Sequence, residues 1–283
     1  MDKRNTKIGF IGQGWIGKNY ADDMEQRGFD VTRYAKEAPY ENNKDTIREC
    51  DIVFIAVPTP TTPKGFDASI LSGVLSLVGK GKIAVIKSTT LMGTVRKLQA
   101  ENPTITIVNS PEFLCINTAA YDASHPSRNI IGLVERTEDN LKIAELILSV
   151  LPKAPHTLLC SYEEAELIKY SHNINGYFQI ILSNILYDAT QKLGADWSVL
   201  KEAFEHDPMM SSTYLNPIHK CGRGAGGACF IKDFEAFIEF FQNDVRDKKG
   251  IEVLKALRDK NIELLRTSGK DTDLLDGVYG KKP

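Results

Sequence analysis

The stretch Lys7-Ile8-Gly9-Phe10-Ile11-Gly12-Gln13-Gly14-Trp15-Ile16-Gly17 is a short apolar run ending in a G-x-G-x-x-G turn. A helical segment follows to about Arg27. Gly28 stands where a helix end favours a left-handed residue, and 29–34 reads as a second strand. The order strand, glycine turn, helix, strand gives the motif its meaning. Gly12 permits the tight turn and Gly14 lets the backbone approach a pyrophosphate. Gly17 lets helix and strand pack closely, while the N–H groups around Trp15 and Ile16 face the phosphates. The pattern predicts a dinucleotide site. The acid that should close the second strand and hold the ribose is missing, because Ala35 occupies its place. Glu37 is the nearest acid. Arg33 and Lys36 flank it and leave a 2′-phosphate, hence NADP, open beside the preferred NAD.

Outward from this unit, apolar runs at 51–57, 82–87, 104–109 and 129–133 alternate with helical or loop segments. That alternation predicts an α/β, Rossmann-type, doubly wound parallel sheet with ligands at the carboxyl ends of its strands. Three such ends carry polar, turn-forming sequence: Val57-Pro58-Thr59-Pro60-Thr61, Lys87-Ser88-Thr89-Thr90 running to Gly93-Thr94, and Ser110-Pro111-Glu112-Phe113-Leu114. Each alone is an ordinary turn or cap. Three at successive strand ends point to a site.

The 283 residues suggest two domains, with a boundary near 155–161 that yields 1–158 and 159–283. A net charge of −2 gives no electrostatic grip on nucleic acid, and no apolar run is long enough to span a membrane. The basic, polar start leads straight into a strand, so no signal peptide is expected. Five scattered cysteines suggest no disulfide framework and fit the reducing cytoplasm. His219, Cys221 and Cys229 match no zinc spacing, so no metal is expected.

The second half reads as helical. A helix is expected over 161–193, with a kink near Asn175-Gly176. Lys169, Asn173, Asn184 and Asp188 recur on one of its faces and suggest polar groups lining a cleft. A helix near 195–210 and a loop over 211–228 with Tyr214 and Asn216 follow. Helices over 232–241 and 251–266 come next, then a frayed tail. The loop ends in Gly224-Ala225-Gly226-Gly227-Ala228-Cys229-Phe230-Ile231-Lys232-Asp233. A thiol between flexible backbone and a helix start can approach a substrate carbon, and the helix end and Lys232 favour its thiolate. Asp233, one turn on, is placed to orient a water or take a proton.

Taken in order, these motifs resemble the UDP-glucose/GDP-mannose dehydrogenase family, with UDP-glucose 6-dehydrogenases as the type. The resemblance rests on Gly12 to Gly17; Val57 to Thr61 with Asp67; and Ser88-Thr89 through Gly93-Thr94. It continues with Pro111 to Leu114 with Asp122, Pro126 and Arg128; Lys169 with Asn173; and Gly226-Gly227 through Cys229 to Lys232-Asp233. It implies a Rossmann domain followed by a helical central domain of the 6-phosphogluconate-dehydrogenase-like kind. It also implies two NAD-dependent oxidations of a nucleotide-sugar alcohol to a carboxylate such as UDP-glucuronate, for polysaccharide synthesis by a cytoplasmic homodimer.

On this resemblance Cys229 is the nucleophile of a thiohemiacetal and thioester. Lys169 and Asn173 stabilise oxyanion charge, Thr89 and Asp233 hold a water, and Glu112 is a further acid–base or positioning group. The cofactor set is Gly12, Gly14, Trp15, Ile16, Gly17, Val57, Pro58, Thr59, Ser88, Thr89 and Lys232. The substrate set is Phe113, Leu114, Lys169, Asn173, Tyr214, Asn216, Gly226 and Gly227. Departures fall on substrate-facing segments: Cys115-Ile116-Asn117 follow Leu114, and Ala225 and Ile231 replace the usual aromatic and proline. The family's third, uridine-diphosphate-holding domain is expected to be missing. A single-step hydroxyacid dehydrogenase of the 6-phosphogluconate-dehydrogenase-like group and a non-catalytic dinucleotide-binding relative remain open alternatives.

Overall fold

The computed structural model describes residues 6–281, which fall into two compact units. Unit 1 comprises residues up to Pro60 and Asp67–Lys169; unit 2 comprises Thr61–Phe66 and Tyr170 onward. The division falls inside a helix, at Lys169/Tyr170.

In unit 1, β1 (Ile8–Ile11), α1 (Trp15–Gln26) and β2 (Val31–Tyr34) form the expected opening, with Gly28 at φ 85° behind the helix. α2 (Lys44–Ile47) is one short turn, and β3 (Ile52–Ile55) returns to the sheet. The short hairpin β4 (Thr61–Thr62) and β5 (Gly65–Phe66) is counted with unit 2. Then come α3 (Ser69–Leu75), β6 (Ile83–Ile86), α4 (Thr94–Glu101), β7 (Thr106–Asn109), α5 (Ala119–Ser124), β8 (Arg128–Leu133), α6 (Glu138–Val150) and β9 (His156–Ser161). The sheet order is β2-β1-β3-β6-β7-β8-β9. Neighbours from β2 to β7 pair in parallel, β8 and β9 pair in parallel, and β7 meets β8 antiparallel. The expected all-parallel sheet is thus reversed along one edge, and β9 is a strand that periodicity did not predict. Its first residues are exposed and only Cys160 is buried, so it carries no central-strand pattern. Fully apolar strands β1, β3 and β6 are buried on both faces, with Phe10 stacked on Phe54 at 5.0 Å.

The helix α7 (Tyr162–Leu193) runs 32 residues and ends at Gly194 with φ 64°. Helical hydrogen bonding continues through Asn175-Gly176, where a kink was expected. A Cβ on Gly176 would stand 2.8 Å from the Tyr214 ring and 3.1 Å from Phe230, so this glycine makes room for packing. After α8 (Trp197–Glu205) comes a hairpin of β10 (Ile218–His219) and β11 (Gly222–Arg223), where a plain loop was expected. α9 (Gly227–Phe240) starts five residues earlier than expected, so Cys229 lies in its first turn instead of ahead of it. α10 (Lys248–Ser268) and α11 (Thr272–Tyr279) complete unit 2. The tail expected to fray is helical because Leu275 and Val278 pack with Ile231 and Leu265. Among the described residues no helix is long and apolar enough to cross a membrane.

Candidate active site

In unit 1 the expected cofactor residues follow the carboxyl ends of adjacent strands. Gly12 has φ +91°, and a Cβ there would stand 2.2 Å from the Ala56 carbonyl. A Cβ on Gly17 would stand 2.0 Å from the Gly12 carbonyl, so turn and helix touch backbone to backbone. Gly14, the N-cap of α1, has nothing within 4 Å of a built Cβ, and Trp15 beside it is exposed. An open face of backbone N–H groups at a helix start is the cradle a pyrophosphate needs, and these residues fit a dinucleotide.

Arg33 is already occupied: its guanidinium donates to Glu25 at 2.9 and 2.8 Å, to Asp22 at 2.6 Å and to Gln13 at 3.3 Å. Only 8% exposed, it braces the glycine turn and is not held ready for a 2′-phosphate. Glu37 and Lys36 are exposed.

The loops after β3 and β6 are tied together. Ser88 Oγ accepts from Val57 N–H at 2.9 Å and donates to the Val57 carbonyl at 2.8 Å; Thr59 Oγ1 donates to the Thr89 carbonyl at 2.7 Å. Thr89 is half-buried and Pro58 exposed. After β7, Glu112 is 3% exposed. Lys169, on α7, donates to its carboxylate at 2.9 Å and to its carbonyl at 2.7 Å. The Leu114 N–H donates to the other carboxylate oxygen at 2.7 Å. Phe113 lies under two cations, Arg128 at 3.9 Å and Lys169 at 5.3 Å from its centroid.

Lys87 and Glu166 shape these loops and were not among the expected site residues. Lys87 directly follows β6, is buried, donates to Ser110 at 3.0 Å and lies 4.7 Å over the Tyr20 ring. Burial pushes its ammonium down to about 8, an effect that Glu112 partly opposes. Glu166, on the first part of α7, accepts from the Gly93 and Val95 N–H groups at 2.6 and 2.9 Å and so caps α4. Neither role leaves a local signature, since both depend on contacts distant in sequence.

In unit 2, Cys229 is half-buried in the first turn of α9. One turn on, Asp233 is 1% exposed and accepts from Asn173 at 2.6 Å and from Lys232. Asn173, Asp233 and Lys232 are therefore brought together. Tyr214 sets its ring 5.7 Å from Phe230, edge to face, while Asn216 lies exposed. The Asn184–Asp188 end of the polar stripe does not line a cleft. Arg223 donates to the Asn184 side chain at 2.9 Å and pairs with Asp188 at 2.6 Å, which pins β11 to α7.

Residues 39–149 match the model described as the UDP-glucose/GDP-mannose dehydrogenase family, NAD binding domain, and 163–262 match that family's central domain. A UDP-glucose 6-dehydrogenase of Bacillus subtilis is 30% identical over 87% of this chain and 56% of its own. One from Rickettsia prowazekii is 29% identical over 81% of this chain and 54% of its own. The chain spans about half the length of the curated relatives it matches. A UDP-glucose dehydrogenase structure from Pyrobaculum islandicum superposes with a TM-score of 0.81 over 94% of this chain and 70% of its own, at 24% identity, and shares the fold.

Proposed function

Since the chain belongs to the UDP-glucose/GDP-mannose dehydrogenase family and carries its NAD-binding domain, we propose that it oxidises a nucleotide-sugar alcohol to the carboxylate. NAD would rest on the Gly12–Gly17 turn and α1 start, with Val57, Pro58, Thr59, Ser88, Thr89 and Lys232 as further contacts, and would supply the hydride acceptor for each oxidation.

The chain's own residues do the rest. The Cys229 sulfur adds to the aldehyde carbon and retains it as a thiohemiacetal. The second oxidation leaves a thioester, which water cleaves to the acid and the thiol. Lys169 and Asn173 donate to developing oxygen charge. Asp233 and Thr89 hold the water, Asp233 taking its proton, and Glu112 fixes the Lys169 ammonium. Phe113, Leu114, Tyr214, Asn216 and Gly227 face the sugar nucleotide. Arg33, spent on Asp22 and Glu25, supports NAD over NADP.

The observation that carries this reading is the buried Asn173–Asp233 bond one helical turn from Cys229. A buried carboxylate held by an amide beside a thiol suits thioester hydrolysis more than bare scaffolding. The test is NADH formation with UDP-glucose, other nucleotide sugars and small hydroxyacids, wild type beside Cys229→Ala. Two NADH per sugar and a dead Cys229→Ala variant are expected. Full single-step activity in that variant would instead favour the hydroxyacid reading, and inert wild type a non-catalytic one.

We also propose a cytoplasmic homodimer formed through α7, on which Leu167, Phe178, Leu182 and Ile185 stand 44%, 37%, 50% and 46% exposed at helical spacing.

A further inference from the structure

The glycine run before Cys229 has a pattern within unit 2 that ligand approach does not explain. Gly222, Gly224 and Gly226 alternate with larger residues, and a Cβ at each would strike the same neighbouring stretch. On Gly222 it would stand 2.6 Å from Ser268 Oγ and 2.8 Å from Lys270 Cβ. On Gly224 it would stand 2.8 Å from Asn261 Oδ1, and on Gly226 2.1 Å from Asp271 Oδ2. Gly224 turns the chain at φ +91°, yet all three glycines still back onto α10 and the turn into α11, so together they form a bare track against that stretch. Gly227 differs: nothing lies within 4 Å of its built Cβ.

Hydrogen bonds follow the same track. The Arg223 N–H donates to Ser268 Oγ at 2.9 Å, and Lys270 Nζ donates to the Gly224 carbonyl at 2.8 Å. The Asn261 amide accepts from Ala225 N–H at 2.7 Å and donates to its carbonyl at 3.0 Å. Asp271 accepts from the Gly227 N–H at 2.7 Å. Gly226, the N-cap of α9, has no side chain to offer, so Asp271 caps that helix from 45 residues away. Asn261 and Lys270 are 2% and 5% exposed, and Asp271 holds a left-handed φ of 50° without being glycine. Strain of that kind persists only where surroundings impose it.

We propose that the α10–α11 turn is the positioning element of the Cys229 loop, with Asp271 as its principal positioning residue. The run expected to be flexible is held at each residue from Arg223 to Ala225 and again at Gly227, and Gly226 is glycine to admit a carboxylate of the protein itself. This rests on the reading of Cys229 as nucleophile, but its test does not need turnover.

Wild type, Asp271→Ala and Asp271→Asn are treated with iodoacetamide, and alkylation of Cys229 is compared by mass spectrometry with that of exposed Cys115, in unit 1, as internal reference. Deuterium exchange is followed over 223–229. Losing the acceptor should speed exchange at the start of α9 by about tenfold and shift the Cys229-to-Cys115 ratio by about threefold or more, while Asp271→Asn keeps an acceptor oxygen and restores both. Should Asp271→Ala not fold, Ser268→Ala and Lys270→Met carry the same comparison, each with faster exchange expected. Unchanged exchange and ratio in the alanine variant, or an asparagine variant as altered as the alanine one, overturns the proposal. Wild type that oxidises no nucleotide sugar would sink the dehydrogenase reading and leave this result standing.

Discussion

Lys87 is the least comfortable charge in unit 1. It is enclosed just after β6 above a neutral phenol ring, and burial lowers its ammonium to about 8. The unfolded chain keeps the proton up to the ordinary lysine value, so between the two values it binds more protons than the folded one. Stability contributed at this site therefore rises with pH across that window. Relative to Lys87→Met, wild type should gain about 3 kcal/mol between pH 8 and pH 10.5, read from urea unfolding at several pH values. A constant difference would show that the lysine is not desolvated. The Lys169–Glu112 pair behaves differently, since each partner compensates the other in a buried place. Glu112→Ala should cost about 3–5 kcal/mol, while Glu112→Leu with Lys169→Met should cost less than the sum of the single changes. Additive losses in denaturant melts would mean that the two groups do not depend on each other. Sequence reading singled out Glu112 from a polar strand end and Lys169 from its helix face. It missed Lys87, because nothing in a strand-end lysine says which ring and which serine will enclose it.

At the scale of elements, the readable parts were those whose pattern is local. The β1–α1–β2 opening follows from an apolar run, three glycines and a helix-ending Gly28, and the structure places it within a residue or two. The elements missed were short, edge-bound or held by distant contacts. β4 and β5 are two residues each among prolines, β9 is half exposed, and α11 buries only Leu275 and Val278. The two readings of Gly176 in α7 predict opposite signs. A helix-weakening glycine replaced by alanine should stabilise by about 1 kcal/mol. A glycine that admits Tyr214 and Phe230 should, on the same change, destabilise by about 1–3 kcal/mol through overpacking. The 2.8 Å approach of Tyr214 favours the second outcome, and thermal or urea unfolding of Gly176→Ala reads it directly. At the start of α4, Glu166→Ala should leave the Gly93 and Val95 N–H groups without their acceptor and cost about 2 kcal/mol, with faster exchange at both amides.

For the molecule as a whole, α/β alternation announced the sheet but not its final order, because strand direction is settled by connections and not by composition. β7 and β8 have buried apolar centres like their parallel neighbours, with Thr106, Asn109, Arg128 and Asn129 at their ends, yet they pair antiparallel. The surface poses a similar problem, since an exposed leucine is ordinary by itself. On α7 the separations from Leu167 to Phe178, Leu182 and Ile185 keep returning to one face, and the cluster of exposed Phe178, Leu182 and Ile185 asks for a partner. Buried against a second copy, a cluster of this kind is self-complementary under two-fold symmetry. Light scattering after size exclusion should give a dimer for wild type and a monomer for Leu182→Lys with Ile185→Lys. Circular dichroism should stay unchanged, because both side chains are exposed in the single chain. A wild-type monomer at every concentration tested would remove the dimer and leave the cluster without a role. A double variant that stayed dimeric would move the interface to another face of the protein.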